Sequence, residues 1–276
     1  MKIFIAVADE GSFSKAAEKL GYVQSNITVR IKKLESELGV ELFKRYNKGV
    51  LLTERGSLFY EHCSAILKRT EQAIATIKES ETYGGELSIG VVETVVSNNF
   101  MESLAEFKKE HPNVSVSLIT GTSPELQEKV LKYKIDAAFV TGDSRVDALE
   151  YEFCIVDEVA LVSKTILENY HNHTWAVFPR GCPFRNLLEE WLEENNIKKS
   201  NFIEINTLDT MLNCVKAGLA STILPISMLS WSQIDNYFTV SLPEKYGTIQ
   251  TCLVRRKDLQ NKVLSSFITK IKKNHD

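Results

Sequence analysis

Between Gly21 and Glu35 the sequence reads GYVQSNITVRIKKLE: a turn-forming glycine, then small hydroxyl and amide side chains, then Arg30, Lys32 and Lys33. Ile27, Ile31, Leu34 and Leu38 recur at helical spacing, so they form an inward face. The opposite face carries Ser25, Thr28, Val29 and Lys32, flanked by Gln24, Asn26 and Lys33. Small hydroxyls and amides let a helix come close to base edges in the DNA major groove and hydrogen-bond them, and a valine can meet a thymine methyl. Arg30, Lys32 and Lys33 can neutralise phosphates. For a lone helix with several cations the competing interpretation is a plain solvated face. The flanking elements decide between the two.

Those elements are short and punctuated by glycine. Ser12 or Ser14 can cap a helix running to Leu20, Ala16 and Ala17 give that helix a slim packing face, and Gly21 allows a tight turn before a second helix opens near Gln24. Helix, short glycine-containing turn, second helix is the helix-turn-helix arrangement, here over about residues 13–32. The segment KGVLLTERG that follows reads as a small β-hairpin. From residue 57 to about 82 there is neither Gly nor Pro, and Phe59, Cys63, Ile66, Thr70, Ala73 and Ile77 alternate at spacings of four and three. That is a heptad seam suited to a partner helix, although a helix packed on its own domain would show the same pattern. It is expected to stop at Tyr83-Gly84-Gly85.

Charge divides along the same line. Residues 1–69 hold 12 Lys and Arg against 8 Asp and Glu, whereas the remainder holds 21 against 28, so a net of −3 conceals a basic head on an acidic body. At 276 residues, 43% hydrophobic and 25% charged, the chain has room for two or three ordinary domains. No apolar stretch reaches the length of a membrane span. The opening MKIFIAVADE is interrupted by Asp9 and Glu10 before it could serve as a signal peptide, so a cytoplasmic protein is expected. The five cysteines, at 63, 154, 182, 214 and 252, are scattered without a CxxC pair; neither a disulfide framework nor a metal site is expected, and no cofactor motif appears.

Beyond Gly85 strands alternate with helices. ELSIGVV (86–92), VSVSLIT (114–120) and DAAFVT (136–141) read as buried strands, with helices near 97–111 and 124–134 between them. WAVFP (175–179), NFIEI (201–205) and ASTILPI (220–226) repeat the pattern with helices near 184–195 and 207–217, and TIQTCLVRR (248–256) and a closing helix near 259–273 complete it. Two α/β lobes with a cleft follow. Ligands of such sheets bind beyond the carboxyl ends of strands, at helix N-termini. Thr94, Thr122, Ser123, Thr141, Arg180, Cys182, Asn206 and Thr207 all sit at such positions, with Ser123 expected as an N-cap and Pro124 after it. If Arg180 faces the cleft, a small carboxylate or other anion is the expected effector, although Arg185 or backbone N–H groups could serve as well.

The segment FIAVADEGSFSKAAEKLGYVQSNITVRIKKLESELGVELFKR, continued by LLTERG, resembles the winged helix-turn-helix of LysR-type transcriptional regulators. The elements AA, L, Q, I, LE, LG, LF, R and LT–G occur in the family's order, and the likeness extends over the whole chain. It implies an α/β multidomain protein: a winged helix-turn-helix over 1–56, a linker and dimerisation helix over 57–83, and an effector-binding domain over 84–276. That last domain would resemble type 2 periplasmic binding proteins, with one lobe at about 86–145 and 245–276 and the other at about 150–240. The resemblance places Gln24, Ser25, Asn26, Thr28 and Val29 in the major groove of double-stranded DNA, with Arg45, Lys48 and Thr53 of the wing on the backbone or in the minor groove. It also implies a small-molecule effector between the lobes and self-association into dimers through the linker and then tetramers. Ser25-Asn26 stands where the family often has Pro-Ala, and Thr28 where it often has Ser, so base preference is expected to differ there. The chain also starts closer to FIAVA than relatives do, and its first helix is expected to lack its opening turn.

Cys182, in RGCPFR, lies near a helix N-terminus between two arginines, conditions that lower a thiol pKa. The position is similar to that of the reactive cysteine in peroxide-sensing relatives, but Trp191 stands where a resolving cysteine would be. An enzyme using Cys182 with His171 or His173 as base is the rival reading, and an effector-independent architectural DNA binder is another. The histidines fall in NYHNHT, a polar stretch better suited to a solvated loop, so no catalysis is expected.

Overall fold

The computed structural model describes the chain apart from residues 47–48, 78–84, 96–97, 143–144, 168–169, 171–172, 198–200, 232–236, 260–261 and 276. Two units separate: Met1–Glu81 with Lys132–Lys134, and Thr82–Leu131 with Ile135–Asp276.

In the first unit α1 spans Lys2–Glu10, α2 Phe13–Leu20 and α3 Gln24–Leu38. The Ser12 hydroxyl accepts from the Lys15 N–H at 3.4 Å and so caps α2, which settles the choice between Ser12 and Ser14. Gly21 ends α2 at φ 68°, a left-handed conformation that suits glycine, and its N–H returns to Ala17 and Glu18. Strands β1 (Phe43–Tyr46) and β2 (Gly49–Leu52) form an antiparallel hairpin, and α4 runs from Glu54 to Ile77. Phe4, Val7, Phe13, Ala16, Ile27, Ile31, Leu42 and Phe43 build one buried core, to which α1 contributes Phe4 and Val7.

Two expectations change here. Leu38, read as inward, is 43% exposed, because α3 outruns the core that Ile27 and Ile31 fill. The α4 seam divides: Cys63 is buried in this unit's own core and Phe59 packs against it, while Ile66, Thr70 and Ala73 are exposed. The glycine stop at 83–84 lies outside the described residues.

In the second unit β3 (Gly85–Val91), α5 (Asn98–Glu110), β4 (Val114–Thr120), α6 (Ser123–Leu131) and β5 (Ala137–Thr141) follow the expected alternation, and β3 pairs in parallel with both β4 and β5. A strand not read from the sequence comes next, β6, Leu149–Ser163. Then come β7 (Trp175–Val177), α7 (Pro183–Glu194), β8 (Phe202–Glu204), α8 (Leu208–Lys216) and β9 (Thr222–Pro225). The chain closes with α9 (Ile226–Trp231), β10 (Phe238–Ser241), β11 (Thr248–Arg256) and α10 (Lys262–His275).

The strands do not form two separate sheets. A seven-stranded sheet runs β10-β6-β11-β5-β3-β4 with β9 also on β6, and β7 and β8 form a parallel pair beside it. β6 is long enough to serve both parts: its first two-thirds pair with β11, and its last residues pair with β9 and β10. Alternation on the strands splits the core, with Ala137 and Phe139 facing α5 and α10 residues such as Phe107 and Phe267, and Ala138 and Val140 facing α6. Trp175, Trp191 and Met211 anchor a third cluster around β7, α7 and α8.

The pairing of β6 with β11 also overturns the expectation of unlinked cysteines. Cys154 and Cys252 stand directly opposite each other on these antiparallel strands and form a disulfide across 98 residues of sequence. Without β6, nothing in the spacing of the cysteines revealed this partnership.

Candidate functional site

Helix α3 presents two contrasting sides. Ile27 and Ile31 are almost fully buried, while Gln24, Ser25, Asn26, Arg30, Lys32 and Lys33 are exposed and Val29 is 64% exposed. Thr28, between the two sides, is half-buried. The Arg30 Nε donates to the Asn26 Oδ1 at 2.8 Å, and its guanidinium lies 5.8 Å from the Tyr22 ring. That arrangement holds both polar groups on the outer face before any partner arrives. Val23 precedes α3 without a side-chain cap, leaving the helix N-terminus with its backbone donors and positive dipole end at the same edge. Lys33 lies 3.8 Å from Glu37, an exposed pair one turn apart that contributes little to stability.

The hairpin is fixed to α3 by Glu35, whose carboxylate accepts from the Leu42 N–H at 2.8 Å and the Phe43 N–H at 3.2 Å. Arg45 is exposed on β1 with its guanidinium 4.9 Å from the Phe13 ring centroid. Lys48 lies outside the described residues. Thr53, expected as a wing contact, has a structural role as well: its hydroxyl donates to the Glu41 carbonyl at 2.8 Å and accepts from the Gly56 N–H at 2.9 Å, capping α4.

A cavity of about 250 Å³ opens in the second unit beyond the carboxyl ends of β3, β4, β5, β7 and β8. Of the candidates read from sequence, Thr94, Thr122, Ser123, Thr141, Cys182 and Asn206 line it. Arg180 and Thr207 do not: Arg180 is exposed, and the Thr207 hydroxyl accepts from the Thr210 N–H as the cap of α8. Arg185, the alternative cation, is buried and held by Glu189 at 2.7 Å, Glu204 at 2.5 Å and the Phe178 carbonyl at 3.1 Å. Ser123 is not the cap of α6, because the helix begins one residue earlier than expected. Thr122 takes that place, its N–H donating to the Glu125 carboxylate at 3.0 Å, and the Ser123 hydroxyl accepts from the Thr141 N–H at 2.9 Å.

Two family models match the chain, one in each unit. Residues 1–57 match the bacterial regulatory helix-turn-helix protein, lysR family, and residues 80–276 match the LysR substrate binding domain. The transcriptional regulator CzcR of Bacillus anthracis is 37% identical over 280 residues, covering all of this chain and 96% of that protein. The chain belongs to the LysR family. A full-length OxyR variant from Pseudomonas aeruginosa superposes with a TM-score of 0.78 at 17% identity, covering 98% of this chain and 93% of that one. Full-length CbnR in complex with its target DNA superposes with a TM-score of 0.67 at 23% identity, covering 99% and 98%. The protein is accordingly a LysR-type DNA-binding transcriptional regulator with an effector-binding domain, and not an enzyme. Among the described residues no helix is long and apolar enough to cross a membrane.

Within this LysR-type effector domain two acidic residues complete the lining, Glu93 and Glu125, neither of them among the sequence candidates. Glu125 could have been found: Thr122-Ser123-Pro124-Glu125 is a capping-box spacing. Glu93 stands beside Thr94 at the end of β3, so its position was legible, but its partner was not: the Leu208 N–H, 115 residues away, at 2.5 Å. Cys182 also departs from expectation. Burial pushes its thiol above the ordinary value, outweighing the backbone N–H groups of Arg185 and Phe184 and the Arg185 charge. His173 bonds the Ser221 hydroxyl at 2.8 Å and packs edge-on to Trp175, and His171 lies outside the described residues.

Proposed function

We propose that this LysR-type regulator acts in the cytoplasm, reads operator DNA through Gln24, Ser25, Asn26, Thr28 and Val29, and is switched by a small molecule held in the cavity of its effector domain. Arg30, Lys32, Lys33, Arg45 and Lys48 supply phosphate contacts, and Thr53 serves the reading head by fixing the start of α4. The working division is a DNA-binding domain over 1–56, a linker helix over 57–83 and an effector domain over 84–276. Dimers form through the exposed part of the seam, Ile66, Thr70 and Ala73, and pair into tetramers, since one reading helix spans too few base pairs for a specific site.

The observation that carries this reading is the two-sidedness of α3: Ile27 and Ile31 are spent on the core while the turn before them leaves a polar, cation-flanked face outside. An anionic effector has less support, since the cation that suggested it, Arg180, does not line the cavity. Mapping the genomic sites bound by the full-length protein tests the proposal. A small set of preferred, two-fold related sequences is expected; uniform binding to all DNA would sink it. Loss of preference in a protein truncated after α4 would then measure how far the effector domain organises the reading heads.

A further inference from the structure

The effector cavity has an electrostatic character opposite to the one expected of it. Among the described residues its lining contains no Lys, Arg or His, and it contains two carboxylates, Glu93 and Glu125. Glu125 is ionised at neutral pH, held below the ordinary carboxylate range by the backbone N–H and the hydroxyl of Thr122. The remaining polar side chains are threonine and serine hydroxyls, the Asn206 amide and the Cys182 thiol, none of which carries a positive charge.

Helix N-termini could in principle offset those charges, but their leading donors are engaged by the chain's own acceptors. At the start of α6 the Thr122 N–H is held by Glu125. At the start of α8 the Leu208 N–H is held by Glu93, and the Thr210 N–H is held by Thr207. At the start of α7 the first residue is Pro183, which has no N–H, and the Phe184 and Arg185 N–H groups that follow are turned toward the Cys182 thiol. A carboxylate ligand entering here would find its donors taken and two like charges facing it. A donor finds the reverse, since a carboxylate has about four lone-pair sites and each of these retains some beyond the donors it already binds.

We infer that the effector is a small molecule bearing a protonated amine, whose ammonium group is received by Glu93 and Glu125 and whose apolar part lies against Val92, Phe178 and Phe184. The volume, just below the usual range for small-molecule sites, suits a compact amine. Glu93 sets the charge preference, because it links the end of β3 to the start of α8 and so couples ligand charge to the closure of the two walls of the cavity.

The inference rests on the reading of this cavity as the effector site, and a pair of probes differing mainly in charge separates the two. Binding of benzylamine and of benzoate to the full-length protein is measured by calorimetry at millimolar concentration, in wild type, in Glu93→Gln and in Thr94→Trp, which fills the cavity. Benzylamine is expected to bind at least about tenfold more tightly than benzoate in wild type, and Glu93→Gln, which keeps a carbonyl for the Leu208 N–H, to erase most of that difference. Thr94→Trp is expected to abolish it. Benzoate binding as tightly as benzylamine and lost in Thr94→Trp would overturn the amine assignment and leave the cavity reading intact. Binding of either probe unaffected by Thr94→Trp would overturn both, and no binding of either probe would overturn the amine assignment.

Discussion

The reading face of α3 and the effector cavity are both polar surfaces at helix N-termini, yet they treat their backbone donors in opposite ways. α3 starts at Gln24, after Val23, without a side-chain cap, and Arg30, Lys32 and Lys33 stand exposed nearby. α6 starts in the cavity wall and α8 just beyond it, after Asn206, with their donors held by Glu125, Glu93 and Thr207. An uncapped terminus costs stability, in the range of about 1 kcal/mol for a missing cap. It is tolerable where a phosphate completes the set, and a self-satisfied terminus is what a site needs when its ligand brings donors of its own. The two regions are thus matched to partners of opposite charge.

The sharpest way to break the comparison is to disable one region and ask whether the other notices. A Cβ on Gly56 would lie 2.0 Å from the Leu42 carbonyl oxygen, a backbone atom at the join of hairpin and α4. Gly56→Ala is expected to cost about 3 kcal/mol or more and to lower the unfolding midpoint of the first unit by roughly 10 °C or more. Operator binding should disappear while the unfolding transition of the effector domain keeps its midpoint. Retained operator affinity would show that the hairpin does not hold the reading head.

The converse perturbation acts on the second unit alone. Reducing the Cys154–Cys252 bond releases a constraint on a 98-residue loop, and bonds of this kind are worth about 2–4 kcal/mol. Calorimetry with and without dithiothreitol should move the effector-domain transition down and leave that of the first unit in place. An unchanged second transition would mean that the β6–β11 ladder, with its partners on both sides, already fixes these strands.

The same contrast explains what could be read from the sequence. The helix-turn-helix is a local object: Ser12, Gly21 and the Ile27–Ile31 spacing act within a few residues of themselves, so their periodicity and turn chemistry were sufficient. The strand ends that approach the cavity were also legible, since β3, β4 and β5 announce themselves by apolar runs. Its charge was not. Whether Arg180 turns outward, Arg185 is neutralised by Glu189 and Glu204, or Glu93 reaches α8 depends on packing between segments up to 115 residues apart. β6 was missed for a related reason. It opens with alternation in LEYEF, loses it in CIVDE and ends in VALVS, a continuous buried run, so no single period holds along its length.

A finer test lies within the reading head, between two threonines with different duties. Thr53 is committed to the Glu41 carbonyl and the Gly56 N–H, so Thr53→Ala should cost about 1 kcal/mol of stability and weaken binding to every DNA sequence alike. Thr28 is half-buried on α3 beside the exposed Val29 and is bound to neither the wing nor a cap. Thr28→Ala should leave the unfolding midpoint nearly unchanged and reduce discrimination between the preferred operator and a single-base variant by about 1 kcal/mol, roughly fivefold. Competition binding at fixed salt measures both quantities, because the preferred and variant duplexes report specificity as a ratio while their common loss reports the head's integrity. If Thr28→Ala weakens both duplexes equally, α3 is held against DNA by its phosphate contacts, and base choice must then rest with Gln24, Ser25 and Asn26 at its uncapped end.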